Sequence, residues 1–188
     1  MVRTFSLLTV ALAAACAPTR ADDSKATPAP ELTGVTEWVN SKPLTLADQK
    51  GKVVILHFWT HGCVNCVNNY PHYKAWGKLY KDKGVAAIGV HTPEFDGEKK
   101  VEAVKAAVKK HDLPFVAMDN DWKNWKAWNN RYWPCVYLID KTGNVRYHWE
   151  GELGKDGEAA MRKRIDELLA EGKSPTLSTV NPGRQIHS

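Results

Sequence analysis

Two cysteines three positions apart, Cys63 and Cys66, are the residues of this chain best suited to covalent chemistry. A thiolate attacks a disulfide sulfur, and a second thiol within reach can then resolve the mixed disulfide that forms. What such a pair does depends on its setting. Residues 53–59 (V-V-I-L-H-F-W) are a nearly unbroken apolar run rich in β-branched and aromatic side chains, the pattern of a strand buried on both faces of a sheet. Thr60, His61 and Gly62 break the run, and Cys63 opens a segment with Val67, Tyr70, Tyr73, Trp76 and Tyr80 at helical spacing. The dithiol therefore falls in the first turn of a helix, where free N–H groups and the positive end of the dipole favour a thiolate. At this spacing Cys66 can reach back to Cys63 and close a small disulfide. A zinc knuckle would need a second ligand pair, and no second C-x-x-C is present.

The elements that must hold this pair follow in order. Residues 85–90 are a second apolar run, so strand, helix and strand form a right-handed parallel crossover. Residues 98–111 place Val101, Val104 and Val108 among lysines, an amphipathic helix with a solvated basic face. Residues 115–118 suit a short strand, and Trp122, Trp125 and Trp128 recur at a spacing that packs them along one side of a short helix. The same region could instead line a groove for substrate. Residues 135–139 and 145–149 flank a Gly-bearing turn and pair as an antiparallel hairpin. Residues 159–170 are a last helix with Met161, Ile165, Leu168 and Leu169 facing inward. Upstream, Leu44-Thr45-Leu46 alternates like a short strand.

The ends of the chain read differently. Arg3 followed by a hydrophobic stretch over residues 5–15 reads as a secretory signal, too short for a stop-transfer helix. It ends either by cleavage after Ala17 or Ala21 or by lipidation at Cys16, whose preceding residues resemble a bacterial lipobox. Residues 22–31 are polar and proline-bearing, a flexible linker; residues 32–171 are one domain and residues 172–188 a loose tail. A net charge of +5 is too small an excess to argue for nucleic acid.

The run F-W-T-H-G-C-V-N-C, with Pro71 after it, resembles the thioredoxin superfamily. The N-S-K-P-L-T-L-A-D near Asn40, the G-V-H-T-P-E-F from Gly89 and the N-R-Y-W-P from Asn130 are similar to the TlpA/ResA-type extracytoplasmic thioredoxins, in particular the thioredoxin-like domain of DipZ proteins. That resemblance implies a thioredoxin-like α/β fold, a central mixed sheet flanked by helices, here with an N-terminal strand or hairpin extension. It implies an exported thiol:disulfide oxidoreductase working reductively on extracytoplasmic protein disulfides or thiols. Such an enzyme has no bound cofactor or metal and is recharged by a membrane thiol reductant. The only membrane contact of this chain itself would be a lipid anchor at Cys16. In this reading Cys63 is the nucleophile and Cys66 the resolving thiol, and Trp133 and Pro134 form a cis-proline loop that meets the substrate backbone.

Two positions depart from the pattern. His57 stands where thioredoxins carry a buried aspartate, so it is a candidate proton acceptor or simply a core imidazole. Cys135 follows Pro134, where a small apolar residue is expected; it is either buried packing or a third sulfur near the pair. His61 could stabilise the Cys63 thiolate. Two other functions use the same residues: a thiol peroxidase of peroxiredoxin type with Thr60 before Cys63, and a Cu(I) module built from Cys63, Cys66 and either Cys135 or His61.

Overall fold

A computed structural model describes residues 26–172. The signal and lipidation expectations, the first residues of the linker and the tail from residue 173 fall outside the described residues. Seven strands form one sheet in the order β1-β7-β6-β3-β4-β5-β2. They are β1 (Thr27–Pro28), β2 (Glu37–Val39), β3 (Val53–Trp59), β4 (Val85–His91), β5 (Phe115–Met118), β6 (Cys135–Ile139) and β7 (Asn144–Glu150). Helices α1 (Val64–Leu79), α2 (Val101–His111), α3 (Lys123–Ala127) and α4 (Gly154–Ala170) join or follow them. β3, β4 and β5 are parallel, and every other pairing is antiparallel, so the sheet is mixed.

β3 is the centre, and all seven of its residues are buried. Side chains alternate across a strand, and the alternation divides the core in two. Val53, Ile55 and Trp59 pack with Cys66, Tyr70, Tyr73 and Trp76 of α1, Val104 and Val108 of α2, and Met161 and Ile165 of α4. Val54, Leu56 and Phe58 pack on the other face with Leu32, Trp125, Trp128, Cys135 and Tyr137. Successive crossovers from β3 to β4 to β5 run in one direction along the sheet, so their right-handedness puts α1 and α2 on the same face. Each large apolar side chain so buried contributes about 1.5–3 kcal/mol.

The hairpin of β6 and β7 forms as its turn residues predict. Gly143 takes φ +93°, and the Asp140 carboxylate accepts the Thr142 and Asn144 N–H groups at 2.9 and 3.0 Å. Other expectations need correction. The linker is not free over its whole length: Thr27 and Pro28 pair with the outer edge of β7, where a proline costs no ladder bond. Glu31 then accepts the Leu46 and Ala47 N–H groups, which ties residues 44–46 down as a loop rather than the short strand their alternation suggests. The N-terminal extension takes strand form, with β1 and β2 on opposite edges of the sheet. α2 starts at Val101, after a 3-10 turn at Asp96–Lys99, and α4 starts at Gly154 rather than 159.

Gly89 of β4 lies beside His57, its register partner on β3. A Cβ there would stand 2.9 Å from both His57 Nε2 and Trp59 Nε1, and both rings are fully buried. Gly89→Ala should therefore lower the unfolding free energy by about 1–3 kcal/mol, measured by urea denaturation. Burial also drives the His57 pKa from 6.5 down to about 3. Between those values the unfolded chain binds a proton that the folded one refuses, so His57 makes stability rise with pH across that window. In His57→Phe the loss of stability on acidification from pH 6.5 to 4 should shrink; an unaltered pH profile would contradict this assignment.

Candidate active site

Cys63 ends the break after β3 and is the N-cap of α1, with φ −87° and ψ 113°. The Cys66 N–H at the first helical turn is shared between the Cys63 sulfur at 3.2 Å and the Cys63 carbonyl at 3.1 Å. The two sulfurs are bonded, and the Cα atoms lie 5.2 Å apart, within the usual span of a disulfide. Their exposures differ in kind. Cys66 is fully buried, Cys63 is half-buried, and Val64 beside it is 72% exposed. An incoming sulfur can therefore reach Cys63 and not Cys66.

Beside the pair, Phe58 of β3 is the register partner of Cys135 on β6. This places the preceding bond, Trp133-Pro134, next to the end of β3 from which the cysteine loop leaves. That bond is cis. The Trp133 indole donates to the Thr92 carbonyl at 3.1 Å and stacks on Trp125 with ring centres 4.0 Å apart. Trp125 and Trp128 are core, so the tryptophan series is packing beneath the loop rather than an open groove. Asp119 holds this support in place, accepting the Asn124 and Trp125 N–H groups and the Thr92 hydroxyl. The Pro134 carbonyl accepts the Gly151 N–H at 2.7 Å. Asn69, one turn beyond Cys66, donates to the Gly151 carbonyl and accepts the Leu153 N–H. The proline loop and the cysteine helix are thus fastened to one another through a single buried amide.

A polar cluster lies on the other side of Cys63. His91, at the end of β4, is fully buried, and its Nε2 is 3.2 Å from His61 Nδ1 and 3.3 Å from the Thr60 hydroxyl. Burial first, then the neighbouring His61, lowers the His91 pKa to about 4, against the opposing pull of Glu98. The Glu98 carboxylate is turned inward to accept the Gly62 N–H at 3.1 Å with one oxygen and the Glu94 and Phe95 N–H groups at 2.7 and 3.3 Å with the other. Burial works to raise its pKa. Hydrogen bonds from Thr60, Glu94 and Phe95 and the charge of His61 outweigh that and hold it below the usual carboxylate range.

The residues singled out in the sequence are therefore only partly brought together. Cys63, Cys66, Trp133 and Pro134 converge at the end of β3. His57 has the setting of a packed core ring: it lies flat against Tyr73 at 4.1 Å, and neither ring nitrogen has a hydrogen-bond partner among the described residues. Cys135 belongs to the core on the opposite face of the sheet from Cys66, and burial raises its thiol pKa to about 12. That placement removes the third sulfur that an alternative disulfide or a three-cysteine copper site would require. His61 turns to His91. Glu98, Asn69 and Asp119 were not legible as site residues. Glu98 reads as the first polar position of an amphipathic helix, and nothing local says that it turns inward.

Residues 26–148 match the AhpC/TSA family. Protein DipZ of Mycobacterium tuberculosis (strain CDC 1551 / Oshkosh) is 41% identical over 158 residues, which cover 82% of this chain and 22% of DipZ; the chain thus spans about a fifth of that relative's length. The thiol-disulfide oxidoreductase ResA of Bacillus thuringiensis subsp. konkukian (strain 97-27) is 35% identical over 128 residues, 68% of this chain and 71% of ResA. The solution structure of a thioredoxin-like protein in the oxidized form superposes with a TM-score of 0.68 at 30% identity, covering 78% of this chain and 97% of that one. With a bonded C-x-x-C at the start of α1 and a cis-proline beside it, the chain has a thioredoxin-like fold and belongs to the AhpC/TSA family.

Proposed function

We propose that the protein is exported and reduces disulfides in extracytoplasmic proteins, with Cys63 as the attacking sulfur and Cys66 as the resolving one. The observation that carries this reading is the pairing of a half-exposed Cys63 with a fully buried Cys66 at the start of α1. In the first step the Cys63 thiolate attacks one sulfur of the client disulfide. The client S–S bond breaks, a Cys63–client bond forms, and the client's other sulfur leaves as a thiolate that takes up a proton. Cys66 then loses its proton and attacks the Cys63 sulfur, which closes the Cys63–Cys66 bond and releases the second client thiolate. Two electrons pass from the dithiol to the client, and a membrane thiol reductant returns them.

Exposed apolar side chains near the pair support a protein client over a small thiol. Val64, Phe95 and Tyr132 are 72%, 65% and 62% exposed. Val64 adjoins Cys63, Tyr132 adjoins the proline loop, and Phe95 shares the Glu98 carboxylate with Gly62. An extended client segment can pair its backbone with Trp133 as an added strand while its side chains meet this rim. The apolar leader over residues 5–15 supports export, with Cys16 as the point of lipid attachment or a residue removed with the leader. The peroxidase reading depends on Thr60 serving Cys63, but the Thr60 hydroxyl is engaged by His91 and Glu98.

Cys66→Ser should halt after the first step, so that it accumulates a mixed disulfide through Cys63 with an oxidised client such as insulin and loses reductase turnover. Cys63→Ser should form no adduct at all. Trapping by non-reducing electrophoresis and mass spectrometry distinguishes the two; turnover retained in Cys66→Ser, or adducts formed through Cys66, would overturn the assignment of roles.

A further inference from the structure

Among the groups around the dithiol, Glu98 is the one whose presence the exchange chemistry does not explain. It is only 7% exposed, so an ionised carboxylate has been taken out of water one peptide unit from the reactive sulfur. That is costly unless hydrogen bonds compensate, and three backbone N–H groups supplied by two different loops do so. One of them belongs to Gly62, the residue before Cys63. A Cβ at Gly62 would collide with the Glu98 carboxylate, so the contact is fitted to this glycine.

The charged and titratable groups facing Glu98 come from each neighbouring element: Thr60 and His61 from the cysteine loop, His91 from β4 and Tyr70 from α1. Tyr70 registers the charge, since burial first and the Glu98 carboxylate next push its phenol upward. Of these groups only His61 and His91 could offset the negative charge, and buried His91 is kept neutral.

We infer that Glu98 is a positioning residue that also sets the field of the dithiol: its carboxylate fixes the Gly62 peptide ahead of Cys63, and its charge keeps the Cys63–Cys66 couple reducing. The reduced pair carries a thiolate at Cys63. The α1 N-terminus stabilises that thiolate and draws the potential upward, whereas a fixed negative charge beside it destabilises the reduced form and draws the potential down. Glu98 opposes the helix. The inference rests on the thiol:disulfide reading and explains how a cysteine at a helix start remains a donor of electrons.

Glu98→Gln tests it: the amide oxygen can still accept the Gly62 N–H, while the charge and the acceptor now shared by the Glu94 and Phe95 N–H groups are gone. Equilibrated with glutathione, the variant should favour the reduced form about tenfold more than wild type, a rise of about 30 mV in potential. Its Cys63 should also be alkylated faster than that of the wild type at pH 6. An unchanged potential in a folded Glu98→Gln would reduce Glu98 to a structural tie and overturn the inference, and a fall would reverse its sign. Should Glu98→Gln not fold, Glu98→Asp, which keeps the charge but withdraws it by a methylene, should show a smaller rise, and no rise would again overturn it. Mixed-disulfide trapping by Cys66→Ser does not involve Glu98, so failure of the exchange reading is seen separately.

Discussion

The site depends on one constraint: a strand buried on both faces must give way to a helix, and the first helical turn has N–H groups with no backbone acceptor. β3 supplies the strand, Thr60, His61 and Gly62 supply the break, and the Cys63 sulfur shares the Cys66 N–H with the Cys63 carbonyl as the helix begins. The same few residues fix which sulfur is reachable. Because Cys66 lies on the inner side of α1, among Tyr70, Tyr73 and Val136, it is shielded from anything but Cys63. Accessibility and thiolate character are thus both consequences of where the helix starts.

Two sets of hydrogen bonds keep that start from drifting, and they act from opposite sides. On one side Asn69 grips Gly151 and Leu153, and Gly151 grips Pro134, so α1 and the proline loop move as a unit. On the other, Glu98 draws Gly62 and the loop after β4 onto a single carboxylate. Bonds of this charged type contribute about 1.5–3 kcal/mol each. The two anchors differ in charge, and that difference matters for function: a neutral amide holds the substrate side, while a negative group stands behind the nucleophile.

Much of this was legible in the residues. β3, β4 and the dithiol between them are local patterns, a continuous apolar run and a spacing of three, and they were placed correctly for that reason. The β6–β7 hairpin was equally plain from Asp140 and Gly143. What escaped was set by tertiary position. Thr27 and Pro28 look like linker because pairing with β7 requires only backbone, and backbone leaves no trace in composition. Glu98 has the chemistry of a solvated helix face and becomes a site residue only because the turn at Asp96–Lys99 aims it inward. Cys135 is the reverse case. It shares a strand face with Tyr137 and Ile139, while Val136 and Leu138 point the other way, and this alternation places it in the core opposite α1, deciding between the packing and third-sulfur readings that the sequence left open.

In the function proposed for it, this helix-start dithiol is a reductant despite the pull of the helix on its thiolate. The reduction potential of the Cys63–Cys66 couple, from equilibration with glutathione or dithiothreitol, tests it most directly. A reductant of this kind should give a value near that of thioredoxin, about −270 mV. A value near the strongly oxidising end of the scale, about −120 mV, would make the protein a donor of disulfides and contradict the proposed function.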